Sequence, residues 1–130
     1  AAYSGKLSGL YPQDPWLAAK VDEAINGCTD CTTTISATMR LPDSEKRYTR
    51  ASLIAPNGRL TMQLNGLEKL LRENGNRGTI VGAELTVADL AIWRMTGWLS
   101  SGMLESLPVN YVTDSFLAIA ALVEKVDSHP

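Results

Sequence analysis

The chain holds one histidine, two cysteines and one phenylalanine among 130 residues, and each scarcity removes a class of chemistry. A structural zinc site usually takes four ligands from Cys, His and acidic side chains. With His129 as the single imidazole, placed at the chain end, no such set can be drawn, and its plain role is a group near the negative end of a helix. Serine hydrolysis needs a histidine between nucleophile and acid, which the sequence does not supply near any serine. Gly5-Lys6-Leu7-Ser8-Gly9 has the letters of a nucleophile elbow without the G-x-S-x-G order, and Gly5-Lys6 is followed by Leu7 rather than the Ser or Thr of a P-loop. Positive charge is also short. Twelve Lys and Arg stand against fourteen Asp and Glu, for a net charge of -2 and a pI near 5.3, so nucleic acid is not an expected partner. No apolar run approaches the ~20 residues that cross a bilayer, and no signal or lipidation motif is visible. Membrane insertion by this domain is not expected.

What is present fits one helical domain. At 14.1 kDa and 45% hydrophobic, the chain is long enough to bury a core without staples. Leu17, Val21, Ala24, Cys28, Cys31, Ile35 and Thr38 step by four and three, which predicts a long first helix opened by Asp14 with Pro15 in its first turn and closed near Arg40. Leu41-Pro42-Asp43-Ser44 reads as a turn capping the next helix. A second arm covers 44–54 and 59–73, broken at Pro56-Asn57-Gly58, with Leu60, Leu64, Leu67 and Leu71 as its buried stripe. Asn74-Gly75-Asn76-Arg77-Gly78 stops it, Thr79-Ile80-Val81 is an extended approach to the next helix, and Gly102 marks that helix's end. One short turn after Leu107-Pro108 and a last helix over 116–126, capped by Asp114 or Ser115, complete the chain.

Leu85-Thr86-Val87-Ala88-Asp89-Leu90 carries the densest local information. Thr86 is placed to cap a helix, its hydroxyl accepting from the Asp89 N–H while the Asp89 carboxylate accepts from the Thr86 N–H, with Leu85 and Leu90 as a hydrophobic staple. The helix that follows is apolar nearly all the way round, as suits one surrounded by others.

Two other features call for plain readings. Cys28-Thr29-Asp30-Cys31 spells C-x-x-C, but it sits mid-helix rather than at the helix N-terminus that lowers a redox thiol's pKa, so small buried residues are expected instead. Arg40, Lys46, Arg47, Arg50 and Arg59 form the one basic cluster, expected as a solvated face.

Val81-Gly82-Ala83-Glu84-Leu85-Thr86-Val87-Ala88-Asp89-Leu90-Ala91 resembles the V-G-x-x-L-T-x-A-D-L-A segment of the C-terminal helical domain of cytosolic glutathione transferases. Gly9-Leu10-Tyr11-Pro12-Gln13-Asp14-Pro15, Ala19-Lys20-Val21-Asp22-Glu23, Leu67-Glu68-Lys69-Leu70-Leu71 and Ala121-Leu122-Val123-Glu124-Lys125-Val126 fall in the matching order around it. The resemblance implies an all-α fold of five to six helices around a buried, N-capped central helix, over residues 14–130. Residues 1–13 then correspond to a linker and the end of a preceding domain. It also implies that the catalytic residues and the glutathione site belong to an N-terminal thioredoxin-like domain, so that none lies within this chain. No cofactor is required of the chain, and glutathione is expected only where that domain is present. Asp22 is similar to an acidic residue that helps hold glutathione across a dimer interface. Asn26 stands where some relatives have a second Asp, and Thr32-Thr33-Thr34 alters the stretch that would face the substrate pocket. The family default is the cytoplasm, or an organelle if a transit peptide was removed.

Two functional expectations follow. The first is a non-catalytic docking or scaffold module, an accessory subunit meeting a protein partner or a second copy through Tyr11, Trp16, Leu17, Val21, Ala24 and Cys28. The second is the helical half of a glutathione transferase, supplying dimer contacts and the walls for a small hydrophobic electrophile.

Overall fold

A computed structural model describes residues 10–128; the segment 1–9, with most of the expected linker, and His129 lie outside these residues. Six helical segments and no strand occur among the described residues: α1 (Pro15–Ser36), α2 (Asp43–Ile54), α3 (Arg59–Glu73), α4 (Val87–Leu99), α5 (Tyr111–Ser115) and α6 (Leu117–Asp127). Helix α1 packs on α3 and α4, α6 closes against both of these, α2 leans on α3, and α5 supports α6.

Local sequence accounts for most of these boundaries. Asp14 caps α1, its Oδ1 accepting from the N–H groups of Trp16 at 2.8 Å and Leu17 at 3.2 Å, and Pro15 fills the first helical position where no N–H is needed. The helix closes at Ser36, a turn before the expected Arg40. There the Thr38 hydroxyl donates to the Ile35 carbonyl at 2.6 Å, a local bond that competes with the helical ladder. Pro42, not Ser44, stands at the start of α2, without a side-chain cap, while Asp43 and Glu45 face the positive end of the helix dipole. The break between α2 and α3 needs glycine for space. A Cβ on Gly58 would lie 2.2 Å from the Leu53 carbonyl oxygen.

Cys28, Cys31 and Ile35 of α1 meet Leu60, Leu64, Leu67 and Leu71 of α3 and Ile92, Met95 and Leu99 of α4 in one buried cluster. Val21, Ala24 and Cys28 are part of it, at 0%, 0% and 7% exposure. They therefore cannot form the outward docking seam expected of them: their small volumes admit α3 and α4 of the same chain. The extended approach expected at 79–81 is a series of bends, and Ile80 and Val81 are core.

At the start of α4, Thr86 and Asp89 make the capping box. Its strong arm is the Asp89 carboxylate, whose Oδ2 accepts from the Thr86 N–H at 2.7 Å and from the Thr86 hydroxyl at 3.2 Å. The return arm is looser, because the Asp89 N–H is shared with the Thr86 carbonyl at 3.1 Å. Asp89 does more than cap: Oδ1 accepts from the Ile80 N–H at 2.7 Å, tying the preceding loop to the helix. Leu85 and Leu90, the pair expected as a staple, are each half-buried. The outer side of α4 is open rather than surrounded, with Trp93, Arg94 and Gly97 exposed, and Trp93 Nε1 donates to Asp127 Oδ1 at 2.7 Å to hold α6 alongside. The helix ends at Leu99, before Gly102, whose φ of +81° turns the chain away.

Two polar side chains bind the bundle in ways the local sequence conceals. Neither Asp114 nor Ser115 caps α6. Glu68, buried on α3, does so from a distance, Oε2 and Oε1 accepting from the N–H groups of Ala118 and Ile119 at 2.9 Å each. Arg50 is buried at 1% exposure rather than part of a solvated basic face. Its Nε donates to the Thr38 hydroxyl and its Nη1 to the Glu105 carbonyl, both at 2.9 Å. A cation thus sits against the negative C-terminal end of α1.

Candidate functional site

The C-terminal half of α1 turns Cys31 and Ile35 into the core and leaves Ile25, Thr29, Thr32, Thr33 and Ser36 beside a groove. The opposite wall is α4, through Ala91, Arg94, Met95 and Trp98. The groove encloses about 550 Å³, within the range of small-molecule sites. Its shape follows from side-chain size: Ala91 is small, Met95 and Cys28 are buried in the floor, and half-buried Trp98 stands at the side. One wall is a row of hydroxyls and the other is mainly apolar.

The groove contains no activated nucleophile. Burial, reinforced by Cys31, pushes the Cys28 thiol up to about 12. Burial and the charge of Asp30 push Cys31 up to about 12 as well. Both stay protonated at neutral pH and are free of a disulfide. Cys28 is therefore wall material. Among the described residues, no three His, Cys, Asp or Glu side chains gather as a metal would require.

Other sequence-singled residues fall elsewhere. Asp22 is exposed near the start of α1, where its Oδ1 accepts from the Tyr11 hydroxyl. That hydrogen bond, then burial and the Asp22 charge, hold the Tyr11 phenol above its ordinary value. Tyr11 is half-buried, as is Leu17, whereas Trp16 is 69% exposed with the Lys20 ammonium 5.2 Å from its ring centroid. The Leu10 carbonyl accepts from the Val87 N–H at 3.0 Å, so the segment before α1 is fastened to the start of α4. Tyr11, Trp16, Leu17 and Asp22 thus lie at the α1 N-terminal end, apart from the groove. Arg94 was missed as a groove residue, since one cation in an apolar helix reads as its solvent side.

A family model described as the glutathione S-transferase C-terminal domain matches residues 29–130. The chain belongs to that family. No curated protein matches it. Within this glutathione S-transferase C-terminal domain the match begins in the middle of α1 and includes the groove's hydroxyl row, all of α4 and the Thr86–Asp89 box. Tyr11, Trp16, Asp22 and Cys28 precede the matched residues. No helix among the described residues of this glutathione S-transferase domain is long and apolar enough to cross a membrane.

Proposed function

We propose that this chain is the helical half of a glutathione S-transferase, and that the groove between α1 and α4 receives the hydrophobic electrophile. The observation that carries the reading is the groove itself, about 550 Å³ with Ile25, Ala91, Met95 and Trp98 along it. In this reading the glutathione thiol is activated by residues outside the chain, consistent with the raised pKa of both cysteines. Asp22 is the candidate contact to glutathione on a neighbouring subunit, through the carboxylate oxygen that Tyr11 leaves unused.

The docking-module reading has less support. Three of its six contact residues, Val21, Ala24 and Cys28, are core, so a protein partner or second copy would meet Tyr11, Trp16 and Leu17 alone.

Binding of 1-chloro-2,4-dinitrobenzene, followed by quenching of tryptophan fluorescence, tests the proposal. Ala91→Trp fills the groove and should weaken binding about tenfold or more, the loss of roughly 1.4 kcal/mol of contact. Glutathione should bind the 130-residue chain no tighter than about millimolar, because one wall cannot orient and desolvate the thiol. Unchanged aryl-halide binding in Ala91→Trp would sink the groove as the electrophile site. Saturable conjugation by the chain alone would overturn the division of labour.

A further inference from the structure

The polar part of the groove is one-sided in its chemistry. Arg94 is the charged side chain that lines it, and no acidic residue does so among the described residues. Asp30, the nearest acid along α1, lines a separate cleft with Arg59 and Gln63. Among the described residues no carboxylate lies within ion-pair distance of Arg94. Across from it, Thr29 spends its hydroxyl proton on the Ile25 carbonyl at 3.1 Å. Thr32, Thr33 and Ser36 have no such acceptor among the described residues, so three hydroxyl donors and a guanidinium share one opening. Donors with a positive charge and no competing carboxylate complement an oxyanion. The remaining lining, Ile25, Ala91, Met95 and Trp98, complements a flat or extended hydrocarbon.

We propose that the groove selects amphipathic ligands: an aryl or conjugated hydrocarbon body bearing one carboxylate- or sulfonate-type anion, with the anion held at Arg94. This rests on the groove being the electrophile site, and it narrows the substrate class from neutral apolar compounds to aryl and unsaturated acids. The body lies along α4 between Ala91 and Trp98, and the anion faces the hydroxyls of α1. Arg94 is exposed, so its contribution is that of a partly screened charge beside an apolar wall, moderate and salt-sensitive.

Two fluorescent probes of nearly equal shape separate charge from apolar contact. 8-Anilinonaphthalene-1-sulfonate carries the anion and N-phenyl-1-naphthylamine lacks it. Both are titrated into the purified protein and into Arg94→Gln, Arg94→Lys, Arg59→Gln and Ala91→Trp, with circular dichroism recorded on each. Arg94→Gln should weaken the sulfonate about tenfold, the scale of one charge-assisted contact, and leave the neutral probe within about twofold. Arg94→Lys should restore part of the loss, and Arg59→Gln should change neither probe. Should Arg94→Gln lose helicity, raising salt to 0.5 M on the unaltered protein decides instead: the sulfonate must weaken several-fold and the neutral probe must not. Equal weakening of both probes, or none, overturns the anion preference while leaving the groove as a site for neutral electrophiles. Binding of both probes undisturbed by Ala91→Trp overturns the groove reading itself.

Discussion

Replacing Asp89 by alanine should be among the most damaging single changes in this domain. A capping residue at a helix start is ordinarily worth about 1 to 2 kcal/mol. Here the carboxylate accepts from two main-chain donors at 2.7 Å, the N–H of Thr86 and the N–H of Ile80. Both residues are buried, at 7% and 3% exposure, so alanine would leave each donor without a partner and with little water. Each orphaned donor costs about 1 to 3 kcal/mol, offset in part because a buried charge disappears. The expected net loss is about 2 to 4 kcal/mol, a large share of the roughly 5 to 15 kcal/mol typical of a domain. With a urea slope of about 1 to 3 kcal/mol per molar, the unfolding midpoint should fall by about 1 to 2 M. Asp89→Asn, whose one carbonyl oxygen can serve only one donor well, should lose about half as much. Glu124→Ala, exposed on α6, is the control and should move the midpoint by less than about 0.3 M. A midpoint for Asp89→Ala no lower than the control's would refute the claim that this carboxylate joins the loop at Ile80 to α4.

The same carboxylate gives a pH signature. Burial pushes Asp89 above its ordinary value of 3.8, against the downward pull of its bonds from Thr86 and Ile80, so the folded state keeps this proton to higher pH than the unfolded one. Stability should therefore decline from this group as pH rises from about 4 through the folded value; urea midpoints against pH should lack that component in Asp89→Asn, and parallel profiles would refute it. Glu68→Ala should cost about 2 to 4 kcal/mol by orphaning the N–H groups of Ala118 and Ile119, while Arg72→Ala, which removes only its largely exposed 3.2 Å partner, should cost about 0.5 kcal/mol or less; equal urea midpoints would count against the remote cap. Arg50→Ala should lose about 3 kcal/mol, since it strands the Thr38 hydroxyl and the Glu105 carbonyl and opens a cavity, and a shift below about 1 kcal/mol would contradict its buried role. With both thiols pushed up to about 12, Cys28 and Cys31 should react with Ellman's reagent at pH 8 only as fast as the domain opens, and rapid labelling in the absence of urea would contradict their burial.

Periodicity and capping chemistry act within a few residues, and there the linear order of side chains is enough. The spacing of Leu60, Leu64, Leu67 and Leu71 puts them on one helical face, and all four are buried. Asp14 before Pro15, and Thr86 three residues before Asp89, mark helix starts because the donors that they satisfy are their immediate neighbours. Pro56-Asn57-Gly58 separates α2 from α3 for an equally local reason, the close approach of the Leu53 carbonyl to Gly58. These signals, with the V-G-x-x-L-T-x-A-D-L-A likeness, made the helical fold legible.

The site was legible only in part. The run of threonines on α1 was marked as facing a pocket, but Arg94 joins it only because α4 lies alongside α1. Val21, Ala24 and Cys28 show the opposite case: helical spacing says that they share a face, and nothing in that spacing says whether the face meets another molecule or α3 and α4 of the same chain. Glu68 and Arg50 make the point in polar terms. Glu68 reaches donors fifty residues away, and Arg50 a carbonyl fifty-five residues away. Bonds over such separations exist only once the helices have packed. The amino-acid order settled where helices begin, break and turn their apolar sides, because those depend on neighbouring backbone donors and on a period of 3.6 residues. Which apolar sides meet, which charges are buried and where a groove stays open were settled by packing, because those depend on pairs of residues that the chain keeps far apart.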